Sequence, residues 1–174
     1  MTDEIDLNRV RDEYHEFRAR FDCMLLTTVS EHGIPDSSLA EFIRLEDDYY
    51  VYLSQFSVTA RNLMHDRRVS LLLVEDAPDS VPEVSRKRVI LKSVATRIQR
   101  RGDSLTLTVL DRLQKHCRHA AANLRGLAGY CLFKITPLSG SFVRGFADAY
   151  RLDGDRFEYK PNALRRLIDR RRTE

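Results

Sequence analysis

From Cys23 to Val74 the chain repeats one pattern, an apolar run of strand length followed by a cluster of turn residues. Cys23 to Ser30 leads into Glu31-His32-Gly33-Ile34-Pro35, and Asp36 to Leu45 leads into Glu46-Asp47-Asp48. Tyr49-Tyr50-Val51-Tyr52-Leu53 follows, rich in the aromatic and β-branched residues that strands favour. Runs this short, broken this often, do not make long helices; they predict a meander of hairpins. Val69-Ser70-Leu71-Leu72-Leu73-Val74 is apolar throughout, as expected of a strand in the interior of a sheet.

The rest of the chain adds strands and three helical patterns. Arg86 to Ile98 predicts a long strand after a loop over Asp76 to Glu83, and Tyr130 to Thr136, Gly140 to Arg144 and Ala147 to Leu152 predict three short ones. Pro137, Gly145 and Gly154 punctuate them. Leu7, Val10, Tyr14, Phe17 and Phe21 recur at helical spacing behind Asp6, a residue type suited to capping a helix. Thr59 to Met64 predicts a short helix. A helix starting at Gly102 to Ser104 carries one stripe of Val109, Leu110, Leu113, Cys117, Ala120, Ala121 and Leu124. The expected fold is mainly β with peripheral helices, an α+β arrangement built on a small antiparallel barrel. One domain is expected over 1–174, with an N-terminal helix at 6–21, the barrel at about 22–154 and a basic tail at 155–174.

Composition excludes several classes. With 43% hydrophobic and 32% charged residues, no run approaches the ~18 apolar residues of a membrane span. The acidic start Met1-Thr2-Asp3-Glu4-Ile5-Asp6 does not read as a signal peptide, so a cytoplasmic setting without stable membrane association is expected. Cys23, Cys117 and Cys131 form no Cys-x-x-Cys pair, and each sits in an apolar pattern, which predicts buried thiols. The net charge of +3 is a property of the tail: Lys160 to Glu174 holds six basic and two acidic residues, leaving the body at about −1. Such a body has no basic excess to serve as a nucleic-acid platform. No Gly-x-Ser-x-Gly elbow is present, and seven glycines in all do not form a phosphate-cradling glycine loop.

One corner points to ligand chemistry. In Ser54-Gln55-Phe56-Ser57-Val58-Thr59-Ala60-Arg61-Asn62-Leu63, hydroxyls and an arginine gather where a helix starts. A helix N-terminus offers unpaired N–H donors and partial positive charge, and a guanidinium adds a fork of donors, so the set suits a phosphate or carboxylate. The competing reading is structural: the same residues cap the helix, and Arg61 pairs with an acid such as Glu75. His116 and His119, with Cys117 or His65, have a spacing that permits metal chelation, but no carboxylate completes the set; no metal site is expected. His15 and His32 read as surface residues. The arginines of Ala163 to Arg172 read as a solvated tail, an amphipathic segment facing acidic surfaces, or an arm across a partner subunit.

In order and spacing, Gly33-Ile34-Pro35, the tyrosine-rich run, Ser54 to Leu63 and Arg67 to Glu75 resemble the flavin-binding split barrels related to pyridoxamine 5'-phosphate oxidase. Arg61-Asn62-Leu63, Arg86-Lys87-Arg88-Val89 and Ser141 to Tyr150 resemble the haem-utilisation branch of that group, the HugZ/HutZ type. The resemblance implies an antiparallel split β-barrel and a homodimer with a planar anionic cofactor between subunits. It implies that Ser54, Thr59 and Arg61 hold the FMN phosphate, that Ser37, Ser38 and Leu39 line the isoalloxazine, and that Arg88 adds charge from a neighbouring strand. The chain also departs from the pattern. Ser37 to Phe42 lacks the Arg and Lys of the oxidase proper, and no Arg and His motif follows Gly154, so a vitamin B6 oxidase is not expected. From Leu152 to Glu174 there is no histidine, although haem-degrading members take an axial histidine from the tail; Thr59 stands where some members have a second one. The expected function is an FMN-dependent oxidoreductase, with a haem-binding or haem-degrading protein as the alternative and a non-catalytic ligand-binding regulator as the second. No catalytic acid or base is assigned.

Overall fold

In the computed structural model, which describes residues 6–76, 78, 81–99, 104–116, 129–153 and 156–159, the strand patterns assemble into one nine-stranded sheet. The elements are α1 (Leu7–Arg18), β1 (Cys23–Val29), β2 (Pro35–Glu41), β3 (Ile43–Leu45), β4 (Asp48–Ser54), α2 (Val58–His65) and β5 (Arg68–Val74). A single 3-10 turn (Glu83–Ser85), β6 (Arg88–Ile98), α3 (Ser104–His116), β7 (Tyr130–Gly145), β8 (Asp148–Asp153) and β9 (Arg156–Tyr159) follow. The order β2-β1-β5-β6-β7-β4-β3 does not close on itself, and β8 and β9 extend it from β7, giving the open, mostly antiparallel sheet of a split barrel.

The differences from the sequence expectations have local causes. The run Asp36 to Leu45 divides at Phe42: its N–H makes the last bond of the β1–β2 register, to the Asp22 carbonyl at 3.1 Å, and from Ile43 the chain pairs with β4 instead. The two strands expected on either side of Pro137 are one strand, β7. Its Tyr130 to Ile135 segment pairs with β4 and its Ser139 to Gly145 segment with β8; Pro137 falls between them, so its missing N–H breaks neither ladder. Arg86 and Lys87 precede β6 rather than starting it. β5 does lie inside the sheet between β1 and β5's other neighbour β6, but burial alternates along it: Val69, Leu71 and Leu73 are buried and Val74 is exposed. Strand structure also continues past Gly154 into β9, which pairs with β8. The expected helix beyond His116, Cys117, His119 and the tail from Lys160 lie outside the described residues.

Contacts group the chain into two compact units, Met1–Phe21 with Leu73–Leu91 and Ser139–Glu174, and Asp22–Leu72 with Lys92–Leu138. In the first, the Asp6 carboxylate accepts the N–H groups of Asn8 and Arg9 at 3.0 and 3.2 Å and starts α1. The apolar face of α1 lays Tyr14 and Phe17 against Phe142, with ring centroids 5.7 and 5.8 Å apart. Glu13, on the same helix, pairs with both Lys87 and Arg144, the latter at 2.8 Å. At Gly140 a Cβ would run into the Ile90 carbonyl oxygen, so β7 approaches β6 there only because the residue is glycine.

In the second unit, Ile43, Tyr50, Val109, Leu110, Leu113 and Leu132 form a buried cluster under α3. Cys131 is buried as expected, but Cys23, at the start of β1, is exposed. Its alternation partner Met24 takes the inward direction instead. Among the described residues no helix is long and apolar enough to cross a membrane.

Candidate functional site

The turn into α2 is held by two serines. Ser54 presents its carbonyl to both the N–H (3.0 Å) and the hydroxyl (2.7 Å) of Ser57, and its Oγ accepts the Phe56 N–H at 3.3 Å. Ser57 is then the N-cap: its Oγ accepts the Ala60 N–H at 3.1 Å and its carbonyl the Arg61 N–H at 3.1 Å. Ser54 therefore shapes the loop. The cap itself, Ser57, was missing from the expected site, although a serine directly before the first helical residue is the usual sequence signal for one.

Thr59 points inward and is 5% exposed; its Oγ1 shares a 2.7 Å hydrogen bond with Ser38 Oγ on β2. Asn62, one turn further, donates from Nδ2 to Thr28 Oγ1 on β1 at 3.0 Å. These two bonds fasten α2 to the sheet. Arg61, between them in sequence, projects the opposite way: it is exposed and has no ion-pair partner among the described residues. Glu75, its expected counter-ion in the structural reading, instead accepts the Lys87 N–H.

The period of two along β2 separates the other candidates. Ser38 faces α2, whereas Ser37 and Leu39 are exposed on the other side, Ser37 sharing a 3.0 Å bond with Thr27. The structure thus brings Ser38 and Thr59 together with the start of α2 and does not place Ser37 and Leu39 with them. Leu39 is 75% exposed and Phe56, at the α2 turn, 76%. Arg88 belongs to the other compact unit, where its Nη1 donates to the carbonyls of Val84 and Arg86 at 3.2 and 3.0 Å. That folds its guanidinium back on its own segment. Asp66 closes α2 at its C-terminal end and grips Arg68 through two carboxylate oxygens; the bonds from Arg68 hold its carboxyl down at about 2.

Known proteins share this fold. Residues 10–144 match the family described as Pyridoxamine 5'-phosphate oxidase. The haem oxygenase HutZ of Vibrio cholerae is 31% identical over 147 residues, which span 84% of this chain and 83% of HutZ. Among solved structures, Campylobacter jejuni ChuZ superimposes with a TM-score of 0.80 at 22% identity, over 93% of this chain and 68% of ChuZ. The Vibrio cholerae HutZ structure, described there as a haem storage protein, superimposes with a TM-score of 0.65 at 28% identity, over 72% of this chain and 88% of HutZ.

Proposed function

Because the chain belongs to the pyridoxamine 5'-phosphate oxidase family and matches its haem-utilisation branch, we propose that it is a haem-binding protein that works as a homodimer. The likeness to HutZ over most of both chains carries this reading and turns the preference from FMN, the first expectation, to haem. Of HutZ's two descriptions, oxygenase and storage protein, the shared element is haem, and that is the part carried over.

The residues around α2 fit the propionates and the ring of such a group, whereas the tail histidine that haem-degrading members offer to the iron has no counterpart in this sequence. Arg61 offers an exposed guanidinium with no competing carboxylate among the described residues, suited to a propionate. Leu39 and Phe56 expose apolar surface of the kind that a porphyrin face or a second copy of the chain covers. When bound, haem supplies the redox chemistry of its own iron; the protein's part is to grip the carboxylates and keep the ring out of water. Thr59, already bonded to Ser38, acts as a brace that fixes α2 and hence the direction of Arg61.

Absorbance titration of the purified chain with hemin and, separately, with FMN tests the reading. A saturable Soret band at one hemin per subunit is expected, with Arg61→Ala weakening uptake by roughly tenfold, the size of a lost charge-assisted contact. Saturable FMN binding with no hemin uptake overturns it and restores the flavin oxidoreductase.

A further inference from the structure

Away from α2, a groove of about 480 Å³ opens beside the β3–β4 hairpin, lined by Tyr50, Asp48, Lys134, Arg44, Glu46 and Arg112 among others. Its volume lies within the range of small-molecule sites, and none of these residues takes part in the site described above.

Tyr50 is the telling member. It is 3% exposed, with its ring in the apolar cluster of Ile43, Leu110 and Leu132, and it has no hydrogen-bond partner among the described residues. The ring is buried but the hydroxyl is not fully enclosed, so it is open to donate to whatever enters the groove. The charges that act on it, Lys134, Asp48 and Glu46, all line the groove, so the hydroxyl faces that space. Burial, the largest influence, raises its pKa, which keeps it a proton donor at neutral pH.

The charged residues around it leave positive capacity. Lys134 lies directly opposite Tyr50 on the β4–β7 ladder and pairs with Asp48 at 2.6 Å. Asp48 also accepts the Thr136 hydroxyl at 2.6 Å, so this carboxylate is occupied while the ammonium keeps further donors. Arg44 donates from Nη1 to the Glu46 backbone carbonyl at 2.8 Å, and the groove carries the cations Arg44, Arg112 and Lys134 against the carboxylates of Asp48 and Glu46. Arg112 stands exposed on α3 with no ion pair among the described residues.

We propose that this groove binds a small phosphate monoester, with Arg112 and Lys134 meeting the phosphate and the Tyr50 hydroxyl donating to it. Donors arriving from a helix, a strand and the groove floor match the three terminal oxygens of a phosphate better than the two coplanar oxygens of a carboxylate. The groove has room for the organic part of the ester.

The test is an NMR titration of the full chain with adenosine 5'-monophosphate, inorganic phosphate and acetate, each at the same ionic strength. Saturable amide shifts in β3–β4, around Lys134 and along α3 are expected, with the monoester tightest and acetate weakest. Arg112→Ala is expected to weaken the monoester by roughly tenfold. Tyr50→Phe, which keeps the buried ring, is expected to weaken it severalfold, and both variants retain wild-type hemin uptake. Absence of saturation across the millimolar range, equal binding of acetate, a preference for inorganic phosphate over the ester, or indifference to both substitutions would each overturn the proposal.

Discussion

Asp66 and Arg68 form a two-residue clasp between α2 and β5, with the guanidinium contacting both carboxylate oxygens. The Arg68 bonds lower the Asp66 carboxyl from the ordinary 3.8 to about 2. A depressed acid contributes stability above its unfolded value, and that contribution disappears as pH falls from about 4 through about 2. Carbon-detected NMR titration is expected to place the Asp66 midpoint near 2 and to return it toward 3.8 in Arg68→Ala; an ordinary midpoint in the wild type would show that the clasp is absent in solution. At the same scale, Thr59 and Arg61 lie two residues apart, but side-chain direction separates them: Thr59 turns in to Ser38 while Arg61 turns out to solvent. On a helix, two positions of separation place residues on different faces, and which face is covered depends on the sheet beneath.

α2 has eight residues and depends on its ends, because so short a helix satisfies few of its own backbone groups. Ser57 caps one end through the Ala60 N–H, and Asn62 ties the helix to Thr28. Ser57→Ala is expected to destabilise the fold by about 1 kcal/mol in a urea melt and, by loosening the turn that carries Arg61, to weaken hemin uptake as well. A loss of stability with unchanged uptake would separate the cap from the ligand site. The existence of α1, α2 and most strands was legible in apolar spacing and turn residues. β9, past Gly154, was not, nor were several boundaries. The division at Phe42 and the passage of β7 through Pro137 each depend on a change of partner, from β1 to β4 in the first case and from β4 to β8 in the second.

For the whole molecule, the exposure of Ile34 (62%), Leu39 and Phe56 in one compact unit supports the proposed homodimer, since apolar side chains left this open gain from being covered by a second copy. Sedimentation at micromolar concentration is expected to give twice the chain mass, and Leu39→Glu to shift the protein toward the monomer without unfolding it. A wild-type monomer across that range would remove the dimer from the proposed function.

By itself the sequence determined the class of fold and the family, because both rest on local signals: the period of apolar residues, the turn residues between strands, and the order of short motifs such as Arg61-Asn62-Leu63. It also marked the corner at Ser54 to Arg61. Only the tertiary structure decided what each hydroxyl does there, assigning Ser57 to the cap, Ser38 and Thr59 to each other and Ser37 to Thr27. It alone set Tyr50 opposite Lys134 at the floor of a groove. The reason is physical: strand register and helix docking join residues distant in sequence, Thr28 to Asn62 and Asp48 to Thr136, and no local pattern in either segment records its partner.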